Sequence, residues 1–213
     1  MKHITLFGLA LVAMLTSSHL HAASKTADWL RDATLSWQPA YAISPSTGVP
    51  GENVKEHEAR RAALVADLET VVNDPEEAPL FAGDDGRAKT ALFVLAIWRG
   101  ESNFDLRVQR YHCKGLPQGM CDGGRAWCMG QVHFDDGAAN LLPKGWVAAD
   151  LEADVKKCAK ATLAVLRYSK KVCGHLKGPD QFAAYASGKC FPSEKMRARY
   201  ELAVAWLKAH PLP

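Results

Sequence analysis

Cysteine is missing from the whole first half of the chain; the first is Cys113. That removes lipid attachment near the N-terminus, which needs a cysteine there. Long apolar runs are just as scarce. Past Leu15 no stretch reaches the roughly 20 apolar residues that a membrane-spanning helix needs, so no stable membrane insertion is expected. An excess of either charge is lacking too, with 26 Lys and Arg against 23 Asp and Glu, a net +3. Nothing in that balance argues for nucleic acid, although a mildly positive surface suits an anionic polymer such as a cell wall. No internal repeat and no low-complexity tract is present. The 48% hydrophobic content is that of an ordinary globular protein, large enough for one domain or one domain with a helical extension.

The first residues read as an export signal. Lys2 and His3 precede an apolar run from Ile4 to Leu15, polar residues Thr16 to His19 follow, and Ala22-Ala23 offers a small-residue exit. A positive end, a short apolar stretch and a cleavage site are the parts of a secretory signal peptide. The expected divisions are a signal peptide at 1–22, an N-terminal helical extension at 23–80 and a main domain at 81–213. The mature chain is then periplasmic or secreted.

All six cysteines, Cys113, Cys121, Cys128, Cys158, Cys173 and Cys190, lie in the second half. An even count in an exported chain points to disulfides. A zinc site using His112 and some of the thiols is the competing reading, but zinc ligands come in closer pairs than these. Three disulfides and no metal are expected, with 15 possible connectivities.

Residues 24–53, rich in Pro, Ser, Gly and Thr, read as an irregular arm with a short helix around 27–35. Leu64, Val65, Leu68, Val71 and Val72 share one stripe of an amphipathic helix from about Val54 to Asn73. The run Ala91 to Trp98 is apolar on every face. Periodicity alone does not separate a buried strand from a buried helix there. Its length and the acidic pair Asp84-Asp85 before it favour a helix, since carboxylates meet the positive helix end. This is the expected central helix, ending at Gly100 with Glu101 directly after.

From Phe104 to Asn140 the chain is Gly- and Cys-rich, with a possible short strand at Cys128–Phe134. A loop of that length inside a compact domain is usually functional. Further helices are expected from Asp150 to about Lys170, from Pro179 through Tyr185 with Gly188 closing it, and from Ser193 to before Pro211.

Three stretches, in this order, resemble the lytic transglycosylase and goose-type lysozyme superfamily. ALFVLAIWRGESNF at 91–104 is similar to that family's apolar helix ending in Glu-Ser. Met129-Gly130-Gln131-Val132 is similar to its Gly-Leu-Met-Gln segment, with the register slightly altered. Ala183-Ala184-Tyr185-Ala186-Ser187-Gly188 resembles its Ala-Tyr-Asn-Ala-Gly. Each motif is weak alone; three in order, over residues 85–207, are much stronger. The resemblance implies an α+β fold, mainly α, lysozyme-like with a small irregular β wing. It also implies a monomeric enzyme without a cofactor that cleaves the β-1,4 bond between MurNAc and GlcNAc in peptidoglycan.

The residue chemistry agrees. Glycosidic cleavage needs a proton delivered to the leaving oxygen, and a free Glu, with a pKa of about 4.3, is ionised at neutral pH. Burial against apolar groups raises that value. Glu101, after the most hydrophobic helix and near Ile97, Trp98 and Phe104, is the best-placed acid; the bland alternative is a solvent-facing helix-end Glu. The resemblance assigns Gln131 to the cleft and Tyr185 to positioning the sugar beside Glu101. Their bland alternatives are a capping Gln and a core Tyr. Ser102 is either a substrate contact or a local hydrogen-bonding group at the helix end, and Trp127 either a sugar platform or core. Glycosidases usually use two carboxylates, whereas lytic transglycosylases by resemblance manage with one Glu and the substrate's own 6-hydroxyl. His133 and Ala186 depart from the family pattern. Asp122 matches an earlier acidic position as second carboxylate, with Asp105, Asp135 and Asp136 as other candidates. Lytic cleavage is therefore expected ahead of goose-type hydrolysis or chitin hydrolysis. A non-catalytic wall-binding protein is the alternative from another class.

Overall fold

The structure is a computed structural model and describes residues 25–38, 52–117, 121–134 and 137–213. The expected signal peptide, residues 39–51 of the irregular arm, Asp135 and Asp136 lie outside the described residues. The described residues are mainly helical, with one two-stranded antiparallel sheet and three disulfides. No helix among them is long and apolar enough to cross a membrane.

Helix α1 covers residues 25–37 and α2 covers Val54–Val72. Asn53 starts α2 with a capping box: its side chain accepts from Glu56 N, and Glu56 accepts from Asn53 N, both at 2.9 Å. Two orphan donors of the helix end are thereby satisfied. The stripe Leu64, Val65, Leu68, Val71 and Val72 is buried, as its spacing requires. The same helix also buries His57, Arg60 and Arg61, which no apolar pattern announces.

Helix α3 covers Gly86–Ser102, and every residue from Ala91 to Trp98 is at most 2% exposed. An all-apolar helix of this kind belongs at the centre; α2 lies on one side and the last helix on another. Two details differ from expectation. The helix does not stop at Gly100 but continues through Glu101, ending where Asn103 takes a left-handed φ of 52°. Asp85 sits at the N-cap without bonding a helix N–H; its carboxylate pairs with Lys89 at 2.6 Å instead.

Beyond α3, a short α4 covers Leu106–Arg110. Cys121–Gly124 form a left-handed turn, with φ of 53°, 48°, 69° and 86° in succession. Strands β1 (Ala126–Trp127) and β2 (Val132–His133) pair antiparallel, Ala126 opposite His133 and Trp127 opposite Val132. The expected strand within Cys128–Phe134 is thus half of a small hairpin.

The helix expected from Asp150 is two helices, α5 (Ala148–Ala153) and α6 (Val155–Val172). Asp154 between them is extended (φ −131°, ψ 111°), and its carboxylate accepts from Lys156 N and Lys157 N. That side-chain cap competes with continuing the helix, which is why an Asp can break an otherwise helical pattern. A 3₁₀ turn at Gly178–Phe182 leads into α7 (Ala183–Ser187), closed by Gly188 at φ 67°. Helix α8 (Glu194–Ala209) starts at Ser193, whose side chain accepts from Met196 N. One core joins Leu30 and Ala33 of α1, the α2 stripe, α3, Met129 and Val132 of the hairpin, and α6. The N-terminal helices therefore share the core of the rest.

Candidate active site

Glu101 stands in the last turn of α3 with its side chain 18% exposed. The chain beyond it is held firmly. Ser102 is buried; its hydroxyl donates to Trp98 O at 2.7 Å and accepts from Phe104 N at 3.3 Å. Its oxygen is therefore used to end the helix. Phe104, also left-handed at φ 53°, is fully buried beneath the Arg61 guanidinium, 4.1 Å from the ring centroid. Its carbonyl accepts from Arg60 Nη2 at 3.0 Å. Arg60 in turn is held by Glu52 and by Gln109, the latter at 2.7 Å. A buried ion pair with its remaining donors satisfied makes a stiff anchor, and it holds the chain three residues beyond the candidate acid.

The hairpin connecting β1 and β2 points its turn, Cys128 to Gln131, into the protein. Cys128 is bonded to Cys158 of α6. Met129 is 1% exposed within the core. The Gly130 carbonyl accepts from the Tyr185 hydroxyl at 2.5 Å. No side chain fits at position 130: a Cβ there would stand 2.3 Å from Thr162 Oγ1, 3.1 Å from the Tyr185 hydroxyl and 3.4 Å from Trp98 Nε1. Trp98 Nε1 itself donates to Thr162 Oγ1 at 3.1 Å. So the three stretches that carry the family resemblance touch one another here, through Trp98, Gly130 and Tyr185. Thr162 of α6 is the link between them.

Burial pushes the Glu101 carboxyl above its ordinary value, although Arg199 and Lys195 pull it down; the negative charge of Asp122 adds to the upward push. Burial and the nearby Glu101 push the Tyr185 phenol well up, so it stays a neutral hydroxyl. Tyr185 thus donates to the Gly130 carbonyl while lying within electrostatic reach of Glu101. Asp122, in the left-handed turn, is 61% exposed and accepts from or pairs with His133 Nε2 at 2.6 Å. The Asp122–His133 pair lies within electrostatic reach of Glu101. Backbone in the left-handed region at non-glycine residues such as Cys121 and Asp122 is costly and tends to mark functional segments; the Cys113–Cys121 disulfide holds this one.

The remaining expected residues fall less centrally. Gln131 is left-handed (φ 50°) and spends its amide on its own turn, Nε2 donating to Cys128 O at 3.1 Å. Trp127 is half-buried, packed on the core and stacked on His112 at 3.8 Å between centroids. Asp105 is buried and occupied: it caps α4 through Arg107 N at 2.8 Å and pairs with the Arg107 side chain. All six cysteines are in disulfides, Cys113–Cys121, Cys128–Cys158 and Cys173–Cys190, so none is a thiolate ligand. Among the described residues no His, Cys, Asp and Glu group is arranged to hold a metal. A surface cavity of about 670 Å³, bounded by Asp67, Gln109, Arg110, Glu152 and Asp154, contains none of the expected site residues.

Arg199 is the residue that sequence reasoning missed. It lies on α8 and pairs with Glu101, Nη1 to Oε1 at 2.7 Å, with only 8% of its side chain exposed. Two signals were available. Met196, Arg199 and Ala203 share one buried face of α8, so a cation interrupts an apolar stripe. Gly100 is also a glycine inside a helix, which costs about 0.5–1 kcal/mol relative to alanine and asks for a reason.

Comparison of the chain with known protein families, with characterised proteins and with solved structures gave no match.

Proposed function

We propose that the protein is an exported, lysozyme-like glycosidase that cleaves the glycan strands of peptidoglycan, with Glu101 as the catalytic acid. The observation that carries this reading is the meeting of Trp98, Gly130 and Tyr185, with Tyr185 in electrostatic reach of a part-buried Glu101 whose proton affinity is raised. Three weak motifs, far apart in the chain, are hard to explain together unless they serve one site.

In the reaction, Glu101 gives its proton to the glycosidic oxygen as the bond from C1 to that oxygen breaks. The ionised Glu101 then takes the proton of the substrate's 6-hydroxyl, whose oxygen bonds to C1 and closes a 1,6-anhydro ring. The carboxylic acid is thereby restored and no water is consumed. Tyr185, neutral and anchored on the Gly130 carbonyl, orients the sugar, and Gln131 and Trp127 border the cleft.

A hydrolytic second reading has one specific observation in its favour. His133 stands where the family carries an acid, yet it holds Asp122 at 2.6 Å. An imidazole with a carboxylate partner is a competent base for water.

The test is digestion of purified wall by wild type and by Glu101→Gln, with mass spectrometry of the products. The variant keeps the shape of the side chain but has no acidic proton, so activity falls by at least ~10²-fold. Equal rates would remove Glu101 as the acid, and wall left uncut by wild type would remove the glycosidase reading, leaving a wall-binding protein. Anhydro ends support the lytic route. Ordinary reducing ends, lost in Asp122→Asn and His133→Gln, would establish the water route instead.

A further inference from the structure

Helices α3 and α8 touch through Gly100. A Cβ at that position would lie 2.4 Å from Arg199 Nε, 2.9 Å from its Cγ and 3.0 Å from its Cδ. The stem of the arginine, and not only its tip, therefore runs across the bare backbone of α3. That path delivers the guanidinium to Glu101 Oε1 at 2.7 Å, under cover from solvent. An arginine stays charged at every pH of interest, so this contact is a permanent positive charge on the candidate acid.

We propose that Arg199, seated in the gap left by Gly100, is a positioning residue for Glu101 that holds the carboxylate in place and stabilises it after its proton has been given up. The inference rests on Glu101 being the acid. Its reasoning is electrostatic. A part-buried carboxyl resists ionising, which suits the first half of the reaction and hinders the second, in which the same group must be an anion and a base. A fixed cation offsets that resistance without supplying a proton of its own. The other groups facing Glu101 do not do this alone. Lys195, one turn earlier on α8, adds positive charge, Asp122 opposes it, and Tyr185 contributes a neutral hydroxyl.

The test compares wild type, Arg199→Met, Arg199→Lys and Gly100→Ala. Carbon-13 labelling of glutamate allows the Glu101 carboxyl to be titrated by NMR, its signal assigned by its loss in Glu101→Gln. Arg199→Met should raise the titration midpoint by about 1 unit or more, the low end for removing an adjacent opposite charge. Gly100→Ala, which leaves the arginine in the chain but blocks its path, should shift it the same way. Arg199→Lys should fall between Arg199→Met and wild type. On purified wall, the alkaline fall of kcat/KM should move to higher pH in Arg199→Met. Its activity relative to wild type therefore rises with pH, whereas simple structural damage lowers activity at all pH values alike. A midpoint and an alkaline limb unmoved in Arg199→Met and in Gly100→Ala, with native circular dichroism, would overturn the proposal. If wild type leaves wall uncut, the glycosidase reading fails, while the titration still decides whether Arg199 controls the carboxyl.

Discussion

Removing the Cys128–Cys158 bridge tests how the hairpin turn is held. The bridge closes a loop of 30 residues, against 8 for Cys113–Cys121 and 17 for Cys173–Cys190. Chain-entropy arithmetic assigns it about 3.6 kcal/mol, against roughly 2.5 and 3.1 kcal/mol for the others. Both cysteines are 2% exposed, so a double change to alanine adds a small cavity cost to the lost tether. Total stability for a domain is only about 5–15 kcal/mol, and the loss should be plain in urea unfolding followed by far-UV circular dichroism. At native conditions the helices should persist, because α3 and α6 are held by the core. The turn itself keeps Met129 and the Tyr185 hydroxyl bond but loses its covalent tie to α6, so the proposed wall cleavage should fall before helical signal does. A destabilisation below about 1 kcal/mol would refute the reasoning, and so would full activity in a protein clearly destabilised.

Glu69 is buried on α2, Oε1 has no hydrogen-bond partner among the described residues, and burial together with Asp28 pushes its pKa up to about 7. The native state thus binds this proton more tightly than the unfolded chain, and its stabilising effect is complete below about pH 4.5 and lost as pH rises through 7. Glu69→Gln should leave the melting temperature at pH 4 unchanged and raise stability at pH 8 by up to about 3 kcal/mol; an equal effect at both pH values would contradict this. Gly130→Ala forces a methyl group onto Thr162 Oγ1 and should cost about 1–3 kcal/mol by overpacking, read by thermal melting, with wall cleavage reduced as well. Tyr185→Phe removes the donor to the Gly130 carbonyl and should cost about 1 kcal/mol; an unchanged melt would mean the contact is idle.

What could be read from the chain alone was local. The stripe on α2, the apolar run of α3, the serine that starts α8 and the glycine that closes α7 each depend on neighbours a few residues apart, and each stands where its pattern implies. Glu101 was singled out as the carboxylate next to the most apolar helix together with the resemblance carried by two further stretches, 129–132 and 183–188. The split at Asp154 was missed because helical periodicity runs straight through a residue whose side chain caps the next helix. Other features belong to tertiary structure only. The six cysteines allow many pairings, and packing of the hairpin on α6 selects one of them. His57, Arg60 and Arg61 are polar in any pattern; the first two are buried because Glu52, Gln109 and the Phe104 carbonyl come to meet them, and Arg61 because the Thr34 and Gln38 carbonyls accept from it. Arg199 reaches Glu101 across almost a hundred positions of sequence only because Gly100 lets α8 lie close. Local periodicity registers which face of an element is apolar, whereas the partner of a buried charge is set by which faces the folded chain brings together.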